Sequence, residues 1–262
     1  MSRGLPAWCT QHGHGMMARQ RGVPRMVHAW LERVITSVYP AMCVLCSQPS
    51  HGSRELCHAC ARDLPWNRHA CPRCALPMPE ANHPRLCGRC LKAPPAWDSA
   101  LSAFQYGWPL DQLLQRFKFH ADLATGRLLG ELLAEFMAAT PGAKPELLIP
   151  VPLHGARLRE RGFNQALELA RPVSRRLRVP LNLSVCVRRK HTPAQSKLDA
   201  RARRRNLRDA FETRASLAGA RLAILDDVVT TGATTAALSM ALRAAGAARI
   251  TVWSLARAAH IV

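Results

Sequence analysis

Acidic residues are scarce in this chain: 17 Asp and Glu stand against 37 Lys and Arg in 262 residues, a formal charge of +20. Such a surplus attracts polyanions through long-range fields, so nucleic acid and phosphate-rich small molecules are the ligand classes to consider. Aromatic residues make up only 5%, and no stacking platform for single-stranded nucleic acid is evident. No run of eighteen uninterrupted apolar residues exists, which excludes a simple membrane-spanning helix. A secretory signal's charged start, apolar core and small-residue cleavage site are also missing, so a cytoplasmic location is expected. Hydrophobic residues reach 48%, enough for a folded core and against a disordered chain.

What is present is sharpest at residues 222–234, Leu-Ala-Ile-Leu-Asp-Asp-Val-Val-Thr-Thr-Gly-Ala-Thr. Leu222 to Leu225 is a wholly apolar run, the pattern of a strand buried on both faces of a parallel sheet. Asp226 and Asp227 follow at its carboxyl end, where open α/β sheets place ligands. Two adjacent carboxylates there can accept hydrogen bonds from a sugar diol or share a Mg²⁺ ion. Val228 leads into Thr230, Thr231, Gly232, Ala233 and Thr234, which supply hydroxyl donors and a close backbone approach. A helix is expected from about Ala233 to Ala245, and amides at its start favour a phosphate dianion. Gly246 should end that helix, and Arg249 to Leu255 should return as a strand, completing a βαβ unit. The segment is not a nucleoside-triphosphate loop, because Ala233 rather than Lys follows Gly232. The plainer alternative, solvated acids beside capping threonines, explains the pair alone but not the full arrangement.

At these positions the chain resembles the type I phosphoribosyltransferases, which bind 5-phosphoribosyl-1-pyrophosphate (PRPP). The resemblance implies that Asp226 and Asp227 contact the ribose hydroxyls and that the following loop cradles the 5′-phosphate. Some purine-salvage relatives carry a third Asp at the position of Thr230 as a general base, so this chain is similar to the branch without one.

Eight of ten cysteines fall in four Cys-x-x-Cys pairs: Cys43/Cys46, Cys57/Cys60, Cys71/Cys74 and Cys87/Cys90. Two such pairs make a tetrahedral site with Zn–S distances of roughly 2.3 Å, so four pairs make two zinc sites. Sequential pairing is expected, with an interleaved arrangement as the alternative. Redox dithiols or a disulfide scaffold fit poorly, since cytosolic thiols stay reduced and one protein seldom needs four identical redox motifs. Residues 41–95 hold few large apolar side chains and many prolines, so metal binding must supply folding free energy, roughly 10–16 kcal/mol per structural site in model peptides. With four thiolates and no open position, both zincs are structural. Cys186 sits in an apolar run and reads as a core thiol.

Past Pro94-Pro95, a strand is expected over Ala100 to Tyr106 and helix over Leu110 to Thr140, broken near His120 and Gly126. Leu147 to Pro152 reads as a second buried strand ending in a stiff turn. Pro152, Leu153 and His154, followed by Arg157, Arg159 and Arg161, form a candidate pyrophosphate seat, because guanidinium groups bind phosphate oxygens in a bidentate way. An amphipathic helix should run from Gln165 to about Leu177, kinked by Pro172 near Glu168. Arg188 to Arg208 holds nine Lys and Arg and one acid; Arg189 to Gln195 within it has the character of an active-site lid, followed by a helical Arg201 to Leu207.

Pro150-Val151-Pro152-Leu153-His154, Arg161-Gly162-Phe163-Asn164-Gln165, the Arg189, Thr192, Gln195, Leu198 spacing, Asn206, Phe211 and the 222–234 signature together resemble the ComF/GntX family. That resemblance implies an N-terminal double zinc ribbon joined to a phosphoribosyltransferase domain, with a role in DNA uptake in some members and sugar-acid utilisation in others. The expected fold is therefore α/β: a type I phosphoribosyltransferase-like parallel sheet with flanking helices plus a small double zinc ribbon. The expected divisions are 1–40, a partly disordered extension with room for a helix near 26–38; 41–95, the ribbons; and 96–262, the transferase-like domain. Met16, Met17 or Met26 could each be the true start of the extension. The expected ligands are PRPP with Mg²⁺, and transfer of phosphoribose to an unidentified nucleophile follows. The alternative is a non-catalytic adaptor binding single-stranded DNA or a competence partner through its ribbons and basic segment.

Overall fold

The structure, a computed structural model, describes residues 41–50, 54–142, 144–189 and 210–259. The expected helix near 26–38 and the lid beyond Arg189, with Gln195, Asn206 and the helix over 201–207, lie outside the described residues. Two short helices come first, α1 (His58–Asp63) and α2 (Gly88–Lys92). Then follow β1 (Ser99–Gln105), α3 (Leu110–Phe119), α4 (Leu123–Ala139), β2 (Leu147–Pro150), α5 (Gly155–Arg161) and α6 (Gln165–Leu177). The chain continues through β3 (Cys186–Arg188), β4 (Phe211–Thr213), β5 (Arg221–Val229), α7 (Ala233–Ala244) and β6 (Arg249–Arg257).

The main sheet has the order β1-β6-β5-β2, and all its pairings are parallel. β3 and β4 form a separate antiparallel pair. Because β5 and β6 occupy the centre, their apolar runs are covered on both faces: Leu222, Ala223, Ile224, Leu225, Ile250 and Val252 are all buried. Each such side chain contributes roughly 1.5–3 kcal/mol when fully buried.

Helix boundaries over 110–139 differ from expectation. The break falls at residues 120–122, where Asp122 caps α4 by accepting from the Thr125 amide at 2.9 Å, and Gly126 lies inside α4. Gly126 is there for space: a Cβ at that position would lie 2.3 Å from the Phe117 ring. α6 runs through Pro172 as one helix. The Pro172 ring packs against Gly130 of α4, where a Cβ would meet it at 2.9 Å, so a small residue on one helix accommodates a rigid one on the other.

Among the described residues the ribbon region has no large core of its own. Cys43, Leu56, Leu64 and Ala75 join the core of the sheet domain, while Cys71, Cys87 and Cys90 form a small cluster with Leu76 and Met78. The Trp66 ring packs on Phe104 with centroids 4.4 Å apart, and Arg54 donates to Glu135 at 2.9 Å, fixing the first ribbon to α4 and β1.

Candidate functional site

β5 outruns its neighbour β2. The register ends at Pro150 opposite Leu225, with a last rung from the Val151 amide to the Leu225 carbonyl at 2.8 Å. Pro152 has no amide to continue the ladder, so the chain turns away through Leu153 and His154 into α5. The overhang of β5 that remains, starting at Asp226 and Asp227, is paired only on the β6 side, where Asp226 faces Ser254. The edge of β5 beside the two acids is thus unpaired on the β2 side, at the carboxyl end of the sheet, the position where such sheets take ligands.

Both acids are held by local amides: Asp227 N–H donates to Asp226 at 2.9 Å, and Val228 N–H donates to Asp227 at 2.6 Å. The Lys118 ammonium, at the end of α3, lies 2.6 Å from Asp227, with the two side chains 22% and 17% exposed. Asp226 as a residue is partly exposed, yet its carboxyl is desolvated. Burial first, and then the neighbouring Asp227, push its pKa up to about 8, with the Asp227 amide and Lys118 acting in the opposite direction. Desolvation, and not a lack of cations, raises this carboxyl, and an acid pair so placed can accept from a diol or share a cation.

The loop beyond is shaped by one glycine. Gly232 caps α7 with φ +78°, and a Cβ there would lie 2.8 Å from the Trp97 ring, so both backbone conformation and space require glycine. Thr231 accepts from the Ala233 amide at 3.2 Å, and Thr235 donates to the Gly232 carbonyl at 3.0 Å. Thr230 is exposed and Thr234 partly so.

His154 caps α5, its Nδ1 accepting from the Ala156 amide at 3.2 Å. Of the arginines on that helix, Arg157 is partly exposed and in the field of Arg188, while Arg159 is exposed. Arg161 donates to the buried Gln165 at 2.9 Å, and its guanidinium stands 5.9 Å from the Phe119 ring. Arg189 ion-pairs with Glu212 on the β3–β4 hairpin.

Two residues beyond those singled out from the sequence belong to this neighbourhood. Lys118 had no local signal, since a lysine ending an amphipathic helix is ordinary. Arg188 lay within the noted basic run; it is half-buried, stacks over Phe211 at 5.6 Å and lies in the field of Asp226. Its burial lowers its pKa, and the charge of Asp226 offsets that.

The cysteines gather in two groups, Cys43, Cys46, Cys57, Cys60 and Cys71, Cys74, Cys87, Cys90, each with its sulfurs within 4.8 Å of one another. The arrangement is sequential, not interleaved. Each group repeats one design: a turn closed onto its first cysteine's carbonyl (Ser47 to Cys43, 2.9 Å; Ala75 to Cys71, 2.8 Å), then a short helix capped by Cys57 or Cys87. Ser47 and Ala75 take the left-handed conformation that this turn demands. Burial raises the Cys43 thiol, but amides of Cys57, Cys46 and Leu45 outweigh it and bring the pKa to about 6; Cys87, likewise opposed by burial, falls to about 7. Cys46, Cys60, Cys74 and Cys90 are instead shifted upward, so each group has one thiolate favoured by amides among four converging sulfurs, and that convergence fits a tetrahedral zinc ion. Cys186 is instead a buried thiol with its pKa pushed up to about 11 by burial.

Residues 34–91 match the model of the double zinc ribbon domain. The chain is 42% identical over 182 residues to "Competence protein F" of Haemophilus influenzae, covering 66% of this chain and 78% of that protein. It is 40% identical over 182 residues to "DNA utilization protein YhgH" of Escherichia coli, covering 68% and 80%. In fold it overlaps glutamine PRPP amidotransferase from B. subtilis at 18% identity and a TM-score of 0.34, over 49% of this chain and 25% of that one; the likeness concerns the fold alone. No helix among the described residues is long and apolar enough to cross a membrane. With its two cysteine clusters, its parallel sheet and these relatives, the chain belongs to the ComF family, which joins a double zinc ribbon to a phosphoribosyltransferase-like domain.

Proposed function

We propose that this protein binds PRPP with Mg²⁺ and transfers its phosphoribosyl group to a nucleophile, with release of pyrophosphate, in the competence or DNA utilization for which its relatives are named. The observation that carries this reading is the acid pair overhanging β5 immediately before a glycine-capped helix start. Asp226 and Asp227 accept hydrogen bonds from the ribose diol, and the backbone from Thr230 to Thr234 receives the 5′-phosphate. A Mg²⁺ ion held by these carboxylates would supply charge to the pyrophosphate oxygens. Arg157, Arg161, Arg188 and the turn from Pro152 to His154 neutralise the departing group, with Arg189 and Gln195 as its lid-side partners.

In the step itself the anomeric C–O bond breaks with its electron pair leaving on pyrophosphate, through an oxocarbenium-like transition state as in glycoside cleavage. The nucleophile's lone pair forms the new bond at that carbon, and its proton passes to solvent. Pyrophosphate release from PRPP, screened across nucleobases, ammonia and amines, tests the reading. Release with one of them supports it; PRPP that binds but stays intact with all of them contradicts transfer.

A second reading, an adaptor that binds single-stranded DNA or a partner protein, draws on the +20 charge and on the names of the relatives. DNA binding that weakens steeply with salt and survives loss of the acid pair favours it.

A further inference from the structure

The second cysteine cluster is tied directly to the loop after β5. Arg257, the last residue of β6, is only 3% exposed. Its Nε donates to the Cys74 carbonyl at 3.0 Å, and its Nη1 faces the carbonyls of Val229 at 2.9 Å, Thr230 at 2.6 Å and Ala258 at 2.7 Å. One side chain therefore holds a zinc-knuckle residue at one end and the start of the phosphate loop at the other. A second tie runs alongside: Trp97 Nε1 donates to the Arg73 carbonyl at 2.7 Å, while its ring closes on Gly232. Arg73 and Cys74 are the adjacent residues that complete the Cys71–Cys74 turn.

Between these ties the seam is open. A cavity of about 420 Å³ lies between Cys74, Cys90 and Pro94 on the ribbon and Ala233, Ala237 and Met240 on α7, so continuous packing does not join the two parts there. The first cluster is attached elsewhere, through Arg54 to Glu135 and Glu55 to Arg127 on α4 and through the Val44 carbonyl, which accepts from Arg116 of α3 at 3.4 Å. Nothing in those contacts reaches the loop.

We infer that Arg257 is a positioning residue that transmits the order of the second metal site to the loop at Thr230–Thr234, so that losing the second zinc loosens the loop while losing the first does not. With zinc bound, the Arg73 and Cys74 carbonyls are fixed acceptors for Trp97 and Arg257; with an untethered knuckle they are not, and the loop backbone loses its outer supports. The consequence for ligand binding rests on the proposed sugar-phosphate site, but the coupling itself does not.

Hydrogen exchange of the full-length protein tests it. The second cluster is removed as Cys74→Ser with Cys90→Ser, the first as Cys46→Ser with Cys57→Ser, and Arg257→Gln is made with both zincs verified by metal analysis. Exchange of the 230–235 amides should accelerate by about tenfold or more in the second-cluster and Arg257→Gln proteins and stay at the wild-type rate in the first-cluster protein. An unchanged loop in zinc-replete Arg257→Gln, equal acceleration by either cluster, or a rise spread equally over Leu222–Leu225 would each overturn the inference. Should a variant not fold, wild-type protein partly stripped by chelator, with exchange followed against the zinc remaining in each cluster, makes the same comparison. Calorimetry with ribose 5-phosphate separates the two readings: absent heat with a zinc-dependent loop removes the ligand and keeps the coupling, and bound sugar phosphate with a zinc-independent loop does the reverse.

Discussion

Lys118 places its ammonium 2.6 Å from the Asp227 carboxylate, joining the end of α3 to the overhang of β5. The side chains are mostly shielded from water, so the pair offsets a charge that would otherwise be left unmatched in the site. Lys118→Met should lower stability by about 1–3 kcal/mol, and much of that loss should disappear when Asp227→Asn is added, because the orphaned charge goes with it. A double-mutant cycle by thermal or urea unfolding reads the coupling. Strict additivity would mean that the pair contributes nothing.

Asp226 gives stability a pH signature. With its folded-state pKa raised to about 8, it keeps a proton in the folded protein that the unfolded chain releases at the ordinary carboxyl value. Its stabilising contribution is therefore full below that ordinary value and is lost as pH rises through about 8. In metal-free buffer, Asp226→Asn should gain thermal stability relative to wild type by about 2 °C or more between about pH 5 and about pH 9. A difference that stays constant over this range contradicts the assignment.

Each cysteine cluster should bind one zinc. Metal analysis of the purified protein is expected to give two per chain, falling to one when Cys71 and Cys87 are both changed to serine, with a lower melting temperature. Two zincs retained in that variant would show that the second cluster is not a metal site.

Two glycines are constrained by different neighbours. Gly126→Ala drives a methyl into the Phe117 ring and should cost about 1–3 kcal/mol with little effect on ligand binding. Gly232→Ala strains a left-handed cap and meets Trp97, so sugar-phosphate affinity should fall by about tenfold or more. Calorimetry beside thermal unfolding separates the two effects, and equal behaviour of the two variants in both would refute the distinction.

Local chemistry made part of this legible from the residues alone. The run from Leu222 to Leu225, the acids, the helix from Ala233 and the strand from Arg249 are consecutive, and each carries its own periodicity or end signal. The paired cysteines were equally readable, because metal ligation fixes their spacing. What the sequence left hidden depends on residues far apart meeting in space. Lys118 reaches Asp227 across more than a hundred residues, and Arg257 reaches Cys74 across 183. Gly126 looked like a helix break because glycine usually is one; only the Phe117 ring lying against it explains why it sits mid-helix.

The central claim is a sugar-phosphate site at the edge of β5, and titration calorimetry of PRPP with Mg²⁺ tests it most directly. Wild-type protein should bind in the micromolar range, while Asp226→Asn with Asp227→Asn, still folded by circular dichroism and still holding two zincs, should lose at least about a hundredfold in affinity, near 2.7 kcal/mol. Equal affinity in the two proteins, or no binding by wild type, would contradict the account.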